Sequence, residues 1–288
     1  MTRAPRLAAI DLDGTLLRSD GTVSDRSRAA LAAARDAGVD VVLVTARSPR
    51  SVREIAADLG LTGLALCANG ATVFDLDAGA IVHHFPLSVD VAHRVVRGLR
   101  QQVPGISFAW ELELRFGSEP AYEARRDNDR WPRPEDSFPP CDALAWHEPM
   151  TKLLARIYDA DLDSVLAATR ALCGDEAEVT IAGAVFVEVM APGVSKEAAL
   201  IALADERGVG RSEVVAFGDQ LADAGMLRWA GLGVATANAS PFALEAADEV
   251  TASNDEDGVA LVLERLKRGG HPVSPTSPPS LGSRIGHT

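Results

Sequence analysis

Residues 7–15 have the sequence LAAIDLDGT, in which an apolar run ends at Asp11 and Asp13. An uninterrupted apolar run of this kind is typical of a parallel strand that is buried on both faces. Because ligands of open α/β sheets bind beyond the carboxyl ends of the strands, the two aspartates stand where a binding site is expected. An isolated D-x-D pair is usually a turn or a helix cap, but its place directly after a buried strand favours a functional role.

Strands and helices alternate on both sides of the central part of the chain. Ser24 or Asp25 can cap a helix that Gly38 ends, and Pro49 suits the first turn of the next helix. In chain order, the predicted elements are a strand at 7–12, a small hairpin at 16–23, a helix at 25–37, a strand at 39–44, a helix at 49–59, short strands at 64–67, 72–74 and 80–83, and, after Met190, a helix at 195–206, a strand at 214–217, a helix at 221–229, a strand at 233–235 and a helix at 257–267. This alternation predicts an α/β fold, with a Rossmann-like parallel sheet core and helices on both faces.

The central part of the chain has a different order of predicted helices and strands, which indicates a separate α+β insertion. Its predicted elements are a helix at 89–101, paired short strands within 106–116, a strand at 152–158, a helix at 162–173 and strands at 178–181 and 185–190. The predicted domains are therefore a catalytic core at 1–84 and 189–270, an inserted α+β cap at 85–188, and a tail at 271–288. The tail is rich in Gly, Pro and Ser and is predicted to be disordered.

The bulk composition excludes several classes of function. The 288 residues carry a formal net charge of −13, which disfavours binding to the phosphate backbone of a nucleic acid. No segment approaches the roughly 20 apolar residues of a membrane span, and no signal peptide begins the sequence, so a cytoplasmic protein without a membrane partner is expected. Cys67, Cys141 and Cys173 lack metal-site spacing and predict free thiols. A monomer and a homodimer both stay open.

Polar side chains follow three predicted core strands at the points where those strands end. Asp11 and Asp13 follow the first strand, Thr45 follows the second, and Asp219 follows a later one. We expect these groups to share one crevice, because the carboxyl ends of parallel strands meet at one edge of a sheet. Neighbouring carboxylates repel one another, and Mg²⁺, which prefers oxygen ligands, would relieve that repulsion. Such a site suits phosphoryl transfer with an aspartate as the covalent nucleophile.

Several ordered motifs resemble those of the haloacid dehalogenase superfamily, and specifically the Cof-type phosphatases of subfamily IIB, which have a large α/β cap. The resemblance covers roughly residues 6–268, and no single motif would carry it alone. The motifs are DLDGT at 11–15, VTAR at 44–47, NGA at 69–71, GVSK at 193–196, GD at 218–219 with Asp223, GVA at 233–235 with Asn238 and Ala239, and Asn254 with DGV at 257–259.

The resemblance implies roles for the residues in these motifs. Asp11 would attack phosphorus and form an aspartyl-phosphate, and Asp13 would protonate the leaving oxygen and then activate water. Mg²⁺ would be bound by the carboxylates of Asp11 and Asp219 and by the backbone carbonyl of Asp13. Asp223 would lie behind these ligands and orient both the metal and a lysine. The phosphoryl group would be held by Thr45, Arg47 and Lys196, whose hydroxyl, guanidinium and ammonium groups can hydrogen-bond its oxygens.

Three positions depart from the family pattern. Ala222 stands where G-D-x-x-N-D has an asparagine, Ala46 stands where a glycine is common, and Thr236-Ala237 replaces Met-Gly. The missing asparagine amide removes one polar contact near the metal or the phosphate, so the sequence predicts altered catalytic strength with the nucleophile retained.

The predicted function is Mg²⁺-dependent hydrolysis of a small phosphate monoester, such as a sugar phosphate or a phosphorylated cofactor. A phosphomutase or phosphotransferase on the same scaffold is the alternative among enzymes. A non-catalytic binding or regulatory protein with a decayed site is the alternative from another class, and Ala222 is the residue that keeps it open. A dehalogenase is disfavoured, because carbon–halogen displacement has no need for the acid–base group that Asp13 offers.

Overall fold

A computed structural model of the chain describes residues 5–125, 134–135, 137–156, 161–182 and 186–267. The tail predicted at 271–288 lies outside the described residues. In chain order, the strands and helices are β1 (Leu7–Ile10), α1 (Asp25–Asp36), β2 (Asp40–Leu43), α2 (Pro49–Asp58), β3 (Leu64–Cys67), β4 (Thr72–Asp75), β5 (Ala80–His84), α3 (Val89–Gln102), β6 (Ser107–Leu112), β7 (Arg115–Ser118), α4 (Pro120–Glu123), β8 (Lys152–Arg156), α5 (Leu162–Cys173), β9 (Glu178–Ala182), β10 (Phe186–Met190), α6 (Lys196–Glu206), β11 (Val214–Gly218), α7 (Ala224–Trp229), β12 (Leu232–Ala235), α8 (Pro241–Ala246), β13 (Glu249–Val250) and α9 (Gly258–Lys267).

The core is a five-stranded parallel sheet in the order β13-β12-β11-β1-β2. Strand β1 lies between β2 and β11, with Leu7 aligned to Asp40 on one side and to Val214 on the other. Helices α1, α2 and α9 pack their apolar side chains on one face of this sheet, and α6, α7 and α8 pack on the other. The predicted α/β core with helices on both faces is confirmed.

Local sequence signals account for the ends of the helices that flank the site. The Ser24 hydroxyl caps α1 by accepting a hydrogen bond from the backbone N–H of Ser27, and Gly38 follows that helix with a φ of 82°. The Ser195 hydroxyl caps α6 in the same way, by accepting from the backbone N–H of Ala198. Each cap satisfies an N–H group that has no partner inside the helix.

Strands β3, β4 and β5 form a separate antiparallel sheet, which differs from the parallel pattern that the sequence predicts for this region. The direction of the chain reverses after β3 because Ala68, Asn69 and Gly70 all adopt positive φ. A parallel bridge between Val44 and Leu66 still joins β3 to the end of β2. The predicted hairpin at 16–23 forms only a turn without paired strands, and the short elements α8 and β13 were missed by the sequence patterns.

The insertion forms its own antiparallel sheet, in the order β7-β6-β8-β10-β9. Helices α3 and α5 cover one face of this sheet and enclose an apolar core that includes Trp110. The predicted α+β cap is therefore present. Its last strand, β10, runs to Met190, two residues beyond the predicted boundary at 188. None of the helices in the described ranges is both long enough and apolar enough to cross a membrane.

Candidate active site

Three buried carboxylates meet at the carboxyl edge of the core sheet. Asp11 directly follows β1, Asp219 directly follows β11, and Asp223 ends the short 3₁₀ turn that precedes α7. One oxygen from each side chain lies within 4.8 Å of the corresponding oxygens of the other two. Of the residues expected to share one crevice, Asp11 and Asp219 lie in this cluster, and Asp223 joins them there.

Lys196 is the cation of this cluster. It is the first residue of α6, and its Nζ donates hydrogen bonds to Asp11 Oδ1 at 2.7 Å and to Asp223 Oδ1 at 2.6 Å. Its side chain is only 3% exposed, which leaves bulk solvent little part in screening these contacts. The site therefore sets three carboxylates against one ammonium, and it holds an excess of negative charge when all of them are ionised.

The burial of the cluster displaces the pKa values of its members. Burial raises the pKa of Asp11 well above its ordinary value; the charge of Lys196 lowers this pKa in part, and the charges of Asp223 and Asp219 raise it. Burial and the charge of Asp223 raise the pKa of Asp219 to about 6. Burial alone would lower the pKa of Lys196, but the carboxylates of Asp11 and Asp223 outweigh burial and raise it. The carboxylates thus lie in a place where a cation would be favourable.

The donor set fits a hard divalent cation such as Mg²⁺, which takes oxygen ligands. Hydrogen bonds to both carboxylate oxygens orient the side chain of Asp219. Its Oδ1 accepts a hydrogen bond from Thr15 Oγ1 at 3.1 Å, and its Oδ2 accepts one from Gln220 Nε2 at 2.7 Å. Gly14 packs so closely on the carboxylate of Asp219 that a Cβ at this position would overlap it. Asp11 and Asp219 could therefore both offer carboxylate oxygens to such a cation.

Asp223 is anchored differently from the other two carboxylates. Its Oδ2 accepts hydrogen bonds from the backbone N–H groups of Asp219 at 3.1 Å and Gln220 at 2.9 Å, while its Oδ1 accepts from Lys196. These contacts fix the loop after β11 and the lysine at the same time. The role in orienting the metal and the lysine, which the family resemblance implies for Asp223, stays a prediction.

The carboxylate of Asp13 points to Arg47 and lies outside the buried cluster. Arg47 Nε donates to Asp13 Oδ2 at 2.7 Å and Arg47 Nη2 to Asp13 Oδ1 at 2.6 Å, and the Asp13 side chain is 53% exposed. This two-bonded pair raises the pKa of Arg47. The metal role predicted for Asp13 concerns its backbone carbonyl, so the position of its side chain does not bear on that prediction.

Thr45 lies at the end of β2 and is fully buried. Its Oγ1 accepts a hydrogen bond from the backbone N–H of Arg47 at 3.1 Å, and the N-cap position of α2 is taken by Ser48. Thr45 and Arg47 therefore form one turn, and Arg47 joins this turn to Asp13. We call this turn the 45–47 loop.

The departures from the family pattern lie around this cluster. Ala46 stays outside the left-handed region of the backbone, so the absence of glycine there causes no strain. Ala222 lies in the turn that carries Asp223. The Thr236 hydroxyl donates to the carbonyl of Gly14 at 3.2 Å, and Asn238 Nδ2 donates to the same oxygen at 2.8 Å. Thr236 thus supports the loop that follows Asp11.

The sequence analysis assigned no role to two groups of residues, one at this site and one between the cap and the core. One group, Thr15 and Gln220, orients Asp219. The other joins the cap to the core and consists of Glu111, Lys152 and Glu188 on cap strands, with Arg50 and Asn69 on the core. A signal for the second group was available, because Glu188 is a charged residue within an otherwise apolar strand.

Comparison with known proteins identifies the family. The sequence profile of the haloacid dehalogenase-like hydrolases matches residues 8–263. The chain is 34% identical over 259 residues to the 5-amino-6-(5-phospho-D-ribitylamino)uracil phosphatase YcsE of Bacillus subtilis, covering 90% of this chain and 94% of that protein. It is 30% identical over 272 residues to the stress response protein YhaX of the same organism, covering 91% and 93%.

Solved structures agree with this family. A haloacid dehalogenase-like hydrolase from Bacteroides thetaiotaomicron superposes with a TM-score of 0.78 at 26% identity, covering 91% of this chain and 99% of that one. BT1666 from the same organism, described among the phosphatases of the superfamily, superposes with a TM-score of 0.77 at 26% identity, covering 91% and 95%. The chain therefore belongs to the haloacid dehalogenase-like hydrolases, and it is an enzyme of their Cof-type branch, as its motifs predicted.

Proposed function

We propose that this chain is a Mg²⁺-dependent phosphatase that hydrolyses small phosphate monoesters through an aspartyl-phosphate on Asp11. The observation that carries the proposal is the buried carboxylate of Asp11, which is held by Lys196 at the edge of the sheet beside Asp219. A desolvated carboxylate in a fixed position is suited to in-line attack on phosphorus. The names of the relatives, which include several phosphatases, support the same class of reaction.

The chemistry proceeds in two displacements. In the first, an oxygen of Asp11 bonds to phosphorus, the ester P–O bond breaks, and the leaving oxygen takes a proton from Asp13. In the second, Asp13 takes a proton from water, the water oxygen bonds to phosphorus, and the bond between phosphorus and Asp11 breaks to release inorganic phosphate. Each displacement leaves Asp13 in the protonation state that the other requires, so the cycle closes.

The other site residues bind and orient the phosphoryl group in this scheme. Thr45, Arg47 and Lys196 hydrogen-bond its oxygens, and Arg47 exchanges the carboxylate of Asp13 for those oxygens when substrate enters. That exchange frees Asp13 to act as the acid. Mg²⁺, held by Asp11, Asp219 and the backbone carbonyl of Asp13, would neutralise negative charge on the carboxylates and the phosphoryl oxygens. Asp223 keeps Lys196 and the loop after β11 in place.

The names of the relatives suggest a class of substrate. Three relatives from Bacillus subtilis are named 5-amino-6-(5-phospho-D-ribitylamino)uracil phosphatases, so this phosphorylated ribityl compound is the first candidate substrate. Other sugar phosphates and phosphorylated cofactors form the rest of the panel. The chain acts, in this proposal, on a small metabolite in the cytoplasm, as a monomer or a homodimer and without a nucleic acid partner.

Hydrolysis of p-nitrophenyl phosphate by the purified full-length chain, with and without Mg²⁺, tests the proposal. Mg²⁺-dependent turnover that Asp11→Asn abolishes, in a protein with an unchanged circular dichroism spectrum, is the expected result. No turnover by a folded, Mg²⁺-loaded protein on this ester and on the candidate panel would favour a binding protein with a decayed site. Transfer of the phosphoryl group to a sugar acceptor in place of water would favour a phosphomutase or phosphotransferase.

A further inference from the structure

Three charged residues on neighbouring cap strands face the core domain and are buried between it and the cap. They are Glu111 on β6, Lys152 on β8 and Glu188 on β10. Glu111 and Lys152 are directly paired across β6 and β8, and Glu188 lies on the next strand of the same sheet. Arg50 of the core pairs with Glu111, with Nη1 and Oε2 2.8 Å apart. These residues therefore form a polar contact between the cap and the core domain.

Lys152 reaches from the cap into the 45–47 loop. Its Nζ donates a hydrogen bond to the backbone carbonyl of Ala46 at 2.8 Å and lies 2.5 Å from Glu188 Oε1. The N–H of the same peptide group, which belongs to Arg47, donates to Thr45 Oγ1. The peptide between Ala46 and Arg47 is therefore held at both ends, by the cap at its carbonyl and by Thr45 at its N–H.

Glu188 extends the contact to the other side of Thr45. Its Oε2 accepts a hydrogen bond from Asn69 Nδ2 at 2.7 Å, and the backbone N–H of Asn69 donates to the carbonyl of Thr45 at 2.9 Å. Asn69 holds this position in the left-handed conformation, with a φ of 57°. The pair of Lys152 and Glu188 thus contacts the 45–47 loop directly through Ala46 and indirectly through Asn69.

A buried ion pair is a poor source of stability, because removing two charges from water offsets most of their attraction. The side chains of Lys152 and Glu188 are 6% and 3% exposed, so this cost applies to both of them. A backbone carbonyl such as that of Ala46 could be satisfied by water at lower cost. The geometry thus favours a role in placing the 45–47 loop over a role in holding the fold together.

We propose that Lys152 is a positioning residue of the phosphatase site, because it fixes the 45–47 loop through the carbonyl of Ala46. Binding of the phosphoryl group by Thr45 and Arg47 then depends on contact between the cap and the core. The inference rests on the proposed function, because it takes from it the phosphate-binding role of Thr45 and Arg47. Lys152 itself touches no reacting atom.

The test compares four variants of the full-length chain. Lys152→Met removes the ammonium and keeps the apolar stem, and Lys152→Arg keeps the charge and the donors. The double variant Lys152→Met with Glu188→Gln removes both charges, so that neither is left buried alone. Glu111→Gln is the matched control, because it weakens another buried contact between cap and core without touching residues 45–47.

Two measurements are made on each variant. The first is steady-state hydrolysis of p-nitrophenyl phosphate with inorganic phosphate as a competitive inhibitor. Lys152→Met and the double variant are expected to lower kcat/KM by about 10- to 100-fold and to raise KM and the Ki of phosphate together, since displacement of a binding group by about 1 Å can cost that much. Lys152→Arg is expected to recover most of the loss, and Glu111→Gln to stay within a few-fold of the wild type.

The second measurement is amide hydrogen exchange of a peptide covering residues 44–48, which needs no activity. Faster exchange there in Lys152→Met and the double variant, but not in Glu111→Gln, is expected. Unchanged exchange and an unchanged Ki of phosphate, or equal effects in Glu111→Gln, would overturn the role of Lys152. If the wild type fails to turn over any ester, the proposed function falls, while the exchange data still decide whether Lys152 orders the 45–47 loop.

Discussion

The ammonium of Lys196 lies between two buried carboxylates, 2.7 Å from Asp11 and 2.6 Å from Asp223, and thereby joins the residue after β1 to the turn after β11. This placement depends on the start of α6, where Gly193 has a φ of 75° and Ser195 caps the helix, so that Lys196 is the first helical residue. The positive end of the helix dipole adds to the charge of the ammonium. One side chain therefore neutralises part of the cluster and fixes the direction of Asp11.

Lys196→Met is expected to lower kcat/KM by about 10²–10³-fold, the scale of losing one donor aimed at developing charge. It is also expected to destabilise the metal-free protein by a few kcal/mol, since breaking a buried ion pair costs about 3–5 kcal/mol and protonation of Asp11 recovers part of that. Enzyme kinetics and urea unfolding measure the two effects. Lys267→Met, the same change at an exposed residue of α9, is the control, and near-normal turnover by Lys196→Met would contradict the role of this lysine.

The pKa of Asp219 near 6 predicts how Mg²⁺ binding depends on pH. Its ordinary value is 3.8, so between about pH 4 and pH 6 the folded metal-free protein keeps a proton that the unfolded chain has lost. The stability contributed by that proton is fully present below the ordinary pKa of 3.8, and it is lost as the pH rises through the folded-state pKa of about 6. Mg²⁺ must displace the same proton, so its apparent affinity falls as the pH drops below about 6.

Thermal unfolding with and without Mg²⁺ at pH 5 and pH 7.5 measures this linkage. A cation at 100 times its Kd adds about 2.7 kcal/mol of stability, so a clear rise in Tm is expected at pH 7.5 and a much smaller one at pH 5. Asp219→Asn is expected to abolish the Mg²⁺ effect at both pH values. An equal rise at the two pH values in the wild-type protein would show that Asp219 does not titrate with metal binding.

The residues directly after the parallel strands were predictable from the sequence for a physical reason. A buried parallel strand is a continuous apolar run, and the carboxyl ends of such strands converge, so the apolar pattern alone places Asp11 and Asp219 at one edge of the sheet. The N-terminal ends of α1 and α6 could also be predicted, from Ser24 and Ser195, because the cap hydroxyl bonds to a backbone N–H only three residues further along the chain.

Contacts that depend on tertiary packing could not be read in this way. Nothing local indicates that Asp13 pairs with Arg47, or that Lys152 reaches Ala46 across a sequence separation of 106 residues. The antiparallel direction of β4 follows from positive φ at Ala68 and Asn69, which are not glycines, so the usual turn signal is weak there. Short elements such as β13, with two residues, lack the length that a periodic pattern needs.

Ala222→Asn restores the amide that the family pattern has at this position, and it is expected to keep activity or raise it by up to about tenfold. One added hydrogen bond contributes about 1 kcal/mol, and about 1.4 kcal/mol corresponds to a factor of ten. Ala222 is only partly buried. Ala222→Leu has a similar size without the amide and separates volume from hydrogen bonding. A large loss of kcat/KM in Ala222→Asn alone would mean that the loop has been rebuilt around the alanine.

Gly14→Ala is expected to impair both the stability and the metal site. Gly14 has a φ of 78°, and a Cβ there would overlap the carboxylate of Asp219. Gly21 has a φ of 82° and no atom within 4 Å of an added Cβ, so Gly21→Ala carries the backbone strain alone, on the order of 1–2 kcal/mol. The additional loss of unfolding free energy in Gly14→Ala therefore measures the overlap with Asp219.

Urea unfolding measures the stability of both variants, and titration calorimetry with Mg²⁺ measures their affinity for the metal. Weaker Mg²⁺ binding is expected in Gly14→Ala only, and equal affinity in the two variants would show that the fit between Gly14 and Asp219 does not shape the metal site.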